Sequence, residues 1–162
     1  MRSRCPVVTD WCLRTVSDVL LEVFQSIELA LMALRLEFDP VNKILLGRLD
    51  GRLTDELLSE AYDTARKYAV ATNASMGIWD TSSVTEFAVS SGFVRSLASR
   101  KPIIEDAKRL RIVVAPKIEA YGLFRMFQLA GESTRPQLTI VHTIDEALAL
   151  LGVQSAHFEP LE

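Results

Sequence analysis

The chain is poor in the residues that build metal and redox sites. Only two of its 162 residues are cysteine, Cys5 and Cys12, and both lie in the first dozen positions. No CxxC occurs, so a reducing cytoplasm is the expected setting. Histidine is equally scarce, with only His142 and His157. A structural zinc site therefore has no ligand set, and no metal is expected. Neither a P-loop nor a GxGxxG is present, although "GRLDG" places Gly47 and Gly51 four apart. No cofactor is expected from such a chain. A positive balance is also lacking: the formal net charge is −3, which argues against nucleic acid as a partner.

What is present is ordinary globular composition, 49% apolar and 24% charged over 162 residues. That length fits one domain with a sizeable core. Residues 13–34 are apolar at 14 of 22 positions, but Arg14, Asp18, Glu22 and Glu28 interrupt the run and argue against a membrane span. Asp10 follows the positive start, which makes a cleavable signal peptide a poor fit. Leu13, Val16, Leu20, Val23, Ile27, Ala30 and Leu34 make one helical stripe, a packing helix or the seam of a homodimer. A third reading stays open, in which residues 1–31 are upstream sequence from a misassigned start codon. The division expected is an N-terminal extension over 1–32, a domain over 33–152 and a loose tail over 153–162.

Regular patterning begins at Ala33. "LRLEFD" alternates as a half-buried strand, "DPVNK" turns, and "KILLGRL" returns, which makes a hairpin. Thr54 caps a helix with Leu57, Leu58, Ala61, Ala65, Tyr68 and Ala69 inward. "SMGIWD" is a short third strand over 75–80. A hydroxyl-rich segment follows, with six Ser or Thr between Thr81 and Gly92. A helix then carries Val94, Leu97 and Ala98 inward. "RLRIVVA" (109–115) is a fourth strand, and the next helix, "KIEAYGLFRMFQLAG", closes on Gly131 at C′. "QLTIVHT" is a fifth strand, and Thr143 with Glu146 forms a capping box for a last helix that ends at Gly152. The order β-β-α-β-α-β-α-β-α predicts an α/β fold. Its sheet is mostly parallel with an antiparallel edge hairpin, and helices pack on it.

The hairpin running into "GRLDGRLTDELL", the strand end "WDTSSVTEF", the segment "APKIEAYGLFRMFQ" and the close "VHTIDEALALLG" together resemble the STAS superfamily. That superfamily is shared by sulfate transporters and anti-sigma-factor antagonists. The likeness covers about 33–152 and is nearest to the SpoIIAA-like bacterial proteins, which are also grouped with SEC14-like lipid-binding domains. It implies a non-enzymatic module that binds a partner protein, and sometimes a nucleotide or a small apolar ligand. It also implies a phosphorylated serine in an Asp-Ser-Ser-Gly turn. "VSSG" (89–92) is similar, with Ser91 at the modified position and Val89 where the aspartate should stand.

From the residues alone, Ser90 and Ser91 read as helix-capping hydroxyls, and a phosphate would also suit that helix end. Ligands in open α/β sheets sit beyond the carboxyl ends of the parallel strands. That edge carries Asp80, Thr81, Pro116, Lys117, His142 and Thr143. A hydrolase built from Asp80, a serine and His142 lacks a GxSxG elbow, so no catalytic residue is expected. Residues 95–117 hold seven Lys or Arg against two acids, a solvated basic face or a contact for anions. Tyr121, Phe124, Met126, Phe127 and Leu129 exceed what one helical face buries, and Gly122 suggests that something approaches closely. The candidate binding residues are Asp80, Thr81, Ser82, Ser90, Ser91, Lys117, Tyr121, Gly122, Arg125 and His142. The partners expected are a protein or, alternatively, an apolar, lipid-like ligand.

Overall fold

The computed structural model describes residues 34–106 and 108–162. The helical stripe over 13–33, the extension 1–32 and the dimer seam expected there lie outside these residues. In chain order the elements are β1 (Leu34–Asp39), β2 (Ile44–Thr54), α1 (Asp55–Thr72), β3 (Met76–Ala88), α2 (Ser91–Ser99), β4 (Arg111–Val114), α3 (Ile118–Ala130), β5 (Leu138–Val141), α4 (Ile144–Leu150) and β6 (Glu159–Pro160). They form one mixed sheet in the order β5-β4-β3-β2-β1-β6. β2 through β5 run parallel, and β1 lies antiparallel to β2 and β6. The predicted α/β order is present, with one strand added.

Strand alternation sorts the core into two layers. Ile44, Leu46, Ile78, Ile112, Val114 and Val141 meet Ala147 of α4 on one face. On the other, Leu45, Leu49 and Val113 lie under α1, α2 and α3. The predicted inward residues Val94, Leu97 and Ala98 of α2 are buried. On α1, Tyr62 joins Leu58, Ala61, Ala65 and Ala69 in the core, while Leu57 and Tyr68 are half-buried.

Two expectations fail for tertiary reasons. The strand predicted to stop at Asp80 continues to Ala88, because β2 also continues, to Thr54, and supplies a partner along the way. The hydroxyl-rich segment is thus largely strand rather than loop. Its pairing shifts register between Arg48 and Asp50 and again between Gly51 and Arg52. Gly51 takes a φ of +74° there, a conformation that favours glycine. The tail expected to be loose is also held. Leu161 N donates to Leu36 O at 2.8 Å, and Val153 and Phe158 pack on the core. His157 N donates to Asp39, a fully buried carboxylate that also accepts from Val41 N, Asn42 N and Asn42 Nδ2.

Helix ends follow their local chemistry. Thr54 and Thr143 accept from Leu57 N and Glu146 N, and the Glu146 carboxylate accepts from His142 N. Gly152, at φ +70°, ends α4 as predicted. Gly131 does not take the expected left-handed turn, since its φ is −105°. Its missing Cβ instead leaves room for Arg135 Nη1, which would lie 3.2 Å from such an atom.

Candidate functional site

The sequence candidates fall into three places. The first is the start of α2. Ser90, in extended conformation, caps the helix by accepting from Phe93 N at 3.2 Å. Its hydroxyl donates to Asp55 Oδ2 at 2.7 Å, and its backbone N–H donates to Asp55 Oδ1 at 2.8 Å. Asp55 is the first residue of α1, so one carboxylate faces two helix N-termini, where negative charge is favoured. Val89 packs half-buried against the core under α1 and α2. The carboxylate at this turn therefore comes from Asp55, 35 residues earlier. Ser91 is exposed, and its side chain makes no hydrogen bond among the described residues.

The second place is the arm where β2 and β3 outrun the rest of the sheet. Asp80 Oδ2 accepts from Arg48 Nη1 at 2.7 Å, and its Oδ1 accepts from Ser82 N and Oγ. Arg48 Nε also donates to Glu37, which completes a charged chain on the α4 side of the sheet. Thr81 is fully buried and donates to Val114 O at the end of β4. Lys117 Nζ reaches back to Val84 O. Thr81 and Lys117 thus tie neighbouring elements together.

The third place is the outer face of α3. Tyr121 stacks on His142, with centroids 6.2 Å apart and planes at 16°. Ile118 is 83% exposed and Leu129 57% exposed. Arg125 is exposed and donates to Gln128 Oε1. The inner face carries Ala120 and Phe124 into the core. A Cβ on Gly122 would meet nothing within 4 Å. No described element approaches this glycine closely, so the expected crowding is absent within the chain.

Asp80 and Ser82 are hydrogen-bonded to each other, but among the described residues no hydrogen bond joins either of them, or any other serine, to His142. Among the same residues no cluster of three His, Cys, Asp or Glu suits a metal ion, and no helix is long and apolar enough to cross a membrane. The basic run over 95–117 does not form one solvated face. Lys101 pairs with Glu105, Arg109 pairs with Asp106, and Arg111 is 8% exposed. Glu105 and Asp106 are both held below their ordinary carboxylate pKa, Glu105 chiefly by the Lys101 hydrogen bond and Asp106 chiefly by Lys108 N.

Sequence reasoning missed Arg111 and Arg135, which is 3% exposed. Nothing in a basic run flags which member is buried. Alternation within "RLRIVVA" was the available signal, because it places Arg111 on the same face of its strand as Val113.

A scan against protein-family models matches none, and no curated protein is detectably similar in sequence. Solved structures do share the architecture. Phosphorylated SpoIIAA, a Bacillus cell fate determinant, is 22% identical over 74% of this chain and 99% of its own, with a TM-score of 0.49. The anti-sigma factor antagonist SpoIIAA in its unphosphorylated form is 18% identical over 76% of this chain and 100% of its own, with a TM-score of 0.52. The class this defines is the STAS fold, a mixed sheet with helices packed on both faces. The particular protein whose fold this chain shares is SpoIIAA.

Proposed function

We propose that the chain is a non-enzymatic regulatory module that binds a partner protein in a bacterial cytoplasm. The observation that carries this is the outer face of α3. Ile118, Tyr121 and Leu129 are exposed along one helix, with Gly122 and Arg125 between them. Exposed apolar residues in a row, rimmed by polar ones, are characteristic of a protein contact. α2 packs against α3, so the Ser90–Ser91 turn and this face belong to one helical layer. The fold is that of an anti-sigma factor antagonist, which supports a regulatory role.

In this reading the domain spans 33–152 with its tail attached, and 1–32 is an extension. Ser91 is the exposed hydroxyl open to modification, and a phosphate there would lie at the N-terminus of α2. His142 and Tyr121 form one end of the contact, and Arg125 lies on the same face. A second copy of the chain is the competing occupant.

The test is affinity capture from the native cell, identification of the retained protein, and reconstitution from purified components. Wild type should bind one defined partner, and Ile118→Asp and Leu129→Asp should each weaken binding at least about tenfold. Sedimentation of the purified chain checks for self-association. Unchanged partner affinity in both variants removes α3 from the contact.

A further inference from the structure

The apolar cavity between the sheet and the α1, α2, α3 layer, which Arg111 and Arg135 line, measures about 70 Å³. That is half the roughly 150 Å³ that takes up benzene, too little for an organic ligand. The outer face of α3 offers more, because its charges are arranged about a centre.

Ile118, Gly122, Met126 and Leu129 follow one another at helical spacing and make one stripe along α3. Ile118, Gly122 and Leu129 are exposed, and Met126 is half-buried. The opposite side of the helix meets the core through Ala120, Leu123, Phe124 and Phe127. A Cβ on Gly122 would meet nothing within 4 Å, so another helix can come close at this point. Glu119 lies three residues before Gly122, and Arg125 lies three residues after it. Both are exposed. Neither forms an ion pair among the described residues, and Arg125 donates to the neutral amide of Gln128. The two charges cancel, so this stripe does not repel its own copy although the chain carries a net −3.

We propose that a second copy of the chain covers this face, its α3 running antiparallel to the first about a two-fold axis beside Gly122. In that arrangement a residue three positions after Gly122 lies level with the residue three positions before it on the other copy. Arg125 then meets Glu119 of the second copy, and the two-fold repeats the pair. Ile118 falls level with Met126, which puts adaptable apolar side chains in the same layers. A parallel pair would set Arg125 beside Arg125 and Glu119 beside Glu119, which is repulsive. The proposal rests on the reading of α3 as a contact and names what covers it in the free protein, so partner and second copy compete for one face. One helix from each copy buries less than a standard interface, which makes the dimer weak and reversible.

The experiment is sedimentation of the full chain in low salt, from about 1 to about 300 µM, with no other protein present. Wild type should show a monomer–dimer equilibrium with a Kd of about 10–100 µM. Glu119→Arg and Arg125→Glu should each weaken it at least about tenfold, because each reversal creates like-charge contacts on both sides of the two-fold. An equimolar mixture of the two variants should form a heterodimer near the wild-type affinity, since one copy then presents only bases and the other only acids. The double variant should dimerise again by itself. If Glu119→Arg does not fold, Arg125→Glu decides alone, with Arg125→Gln expected between it and wild type. A wild type that stays monomeric at about 300 µM, a dimer indifferent to either reversal, or a mixture that stays monomeric overturns the proposal. None of these readouts involves the partner, so they fail separately from the partner affinities of Ile118→Asp and Leu129→Asp.

Discussion

Replacing Ser90 with alanine removes two interactions and spares a third. The lost pair is the cap, in which Oγ accepts from Phe93 N at 3.2 Å, and the 2.7 Å bond donated to Asp55. The bond from Ser90 N to Asp55 survives, since it uses the backbone. An N-cap contributes about 0.5–2 kcal/mol, typically ~1. The exposed bond to the carboxylate adds about 0.5 kcal/mol, at the low end because water competes for both groups. Ser90→Ala should therefore cost about 1–2 kcal/mol, a fall of roughly 3–8 °C in melting midpoint for a domain of this size. Ser91→Ala should stay within about 0.5 kcal/mol, because that hydroxyl bonds to nothing described and alanine is the better helix former. A double-mutant cycle with Asp55→Ala should return about 0.5 kcal/mol of coupling to Ser90 and none to Ser91. Urea melts of the six proteins, wild type, three single and two double mutants, give all of these values. The reasoning is refuted if Ser91→Ala costs more than Ser90→Ala, or if Asp55 and Ser90 prove additive.

Asp39→Asn should cost about 3 kcal/mol, because an amide would turn a donor toward two of the four N–H groups that the carboxylate now accepts. Burial opposes ionisation of Asp39, but the hydrogen bonds from Asn42, His157 and Val41 outweigh it and lower the pKa. Its stabilisation is thus complete above the unfolded value near 3.8 and is lost as pH falls through the lower folded value. Acid melts should show that extra dependence in wild type and not in Asp39→Asn. Gly122→Ala should raise stability by about 0.5–1 kcal/mol, since helix-interior glycine is costly and a Cβ there meets nothing; a simultaneous loss of partner binding would show that the glycine serves the contact. A protein beginning at Met32 should unfold cooperatively with little change in midpoint, and a drop of many degrees in calorimetry would show that residues 1–31 contribute to the core.

The start of α2 shows where local sequence suffices and where it stops. A serine before an apolar-periodic run marks a helix start, and Ser90 caps that helix by a bond to Phe93, three residues on. Asp55 was unreadable as its partner, because the contact spans 35 residues and depends on how α1 and β3 are placed. The same holds for Asp80 and Ser82. Their mutual bond is local, but the Arg48 bond that charges the site crosses 32 positions through the parallel pairing of β2 and β3.

The sequence by itself determined the order of the elements, most of their caps and which side of each strand faces inward. These depend on periodicity and on bonds spanning three or four residues, and every such bond is written in neighbouring letters. Only the tertiary structure decided that the hydroxyl-rich segment is strand, that the tail pairs with β1, and that Gly122 is open to solvent. It also decided that Arg111 and Arg135 share one apolar cavity. Charge and burial are set by what packs on top, and no local pattern distinguishes an arginine in water from one that a helix has covered.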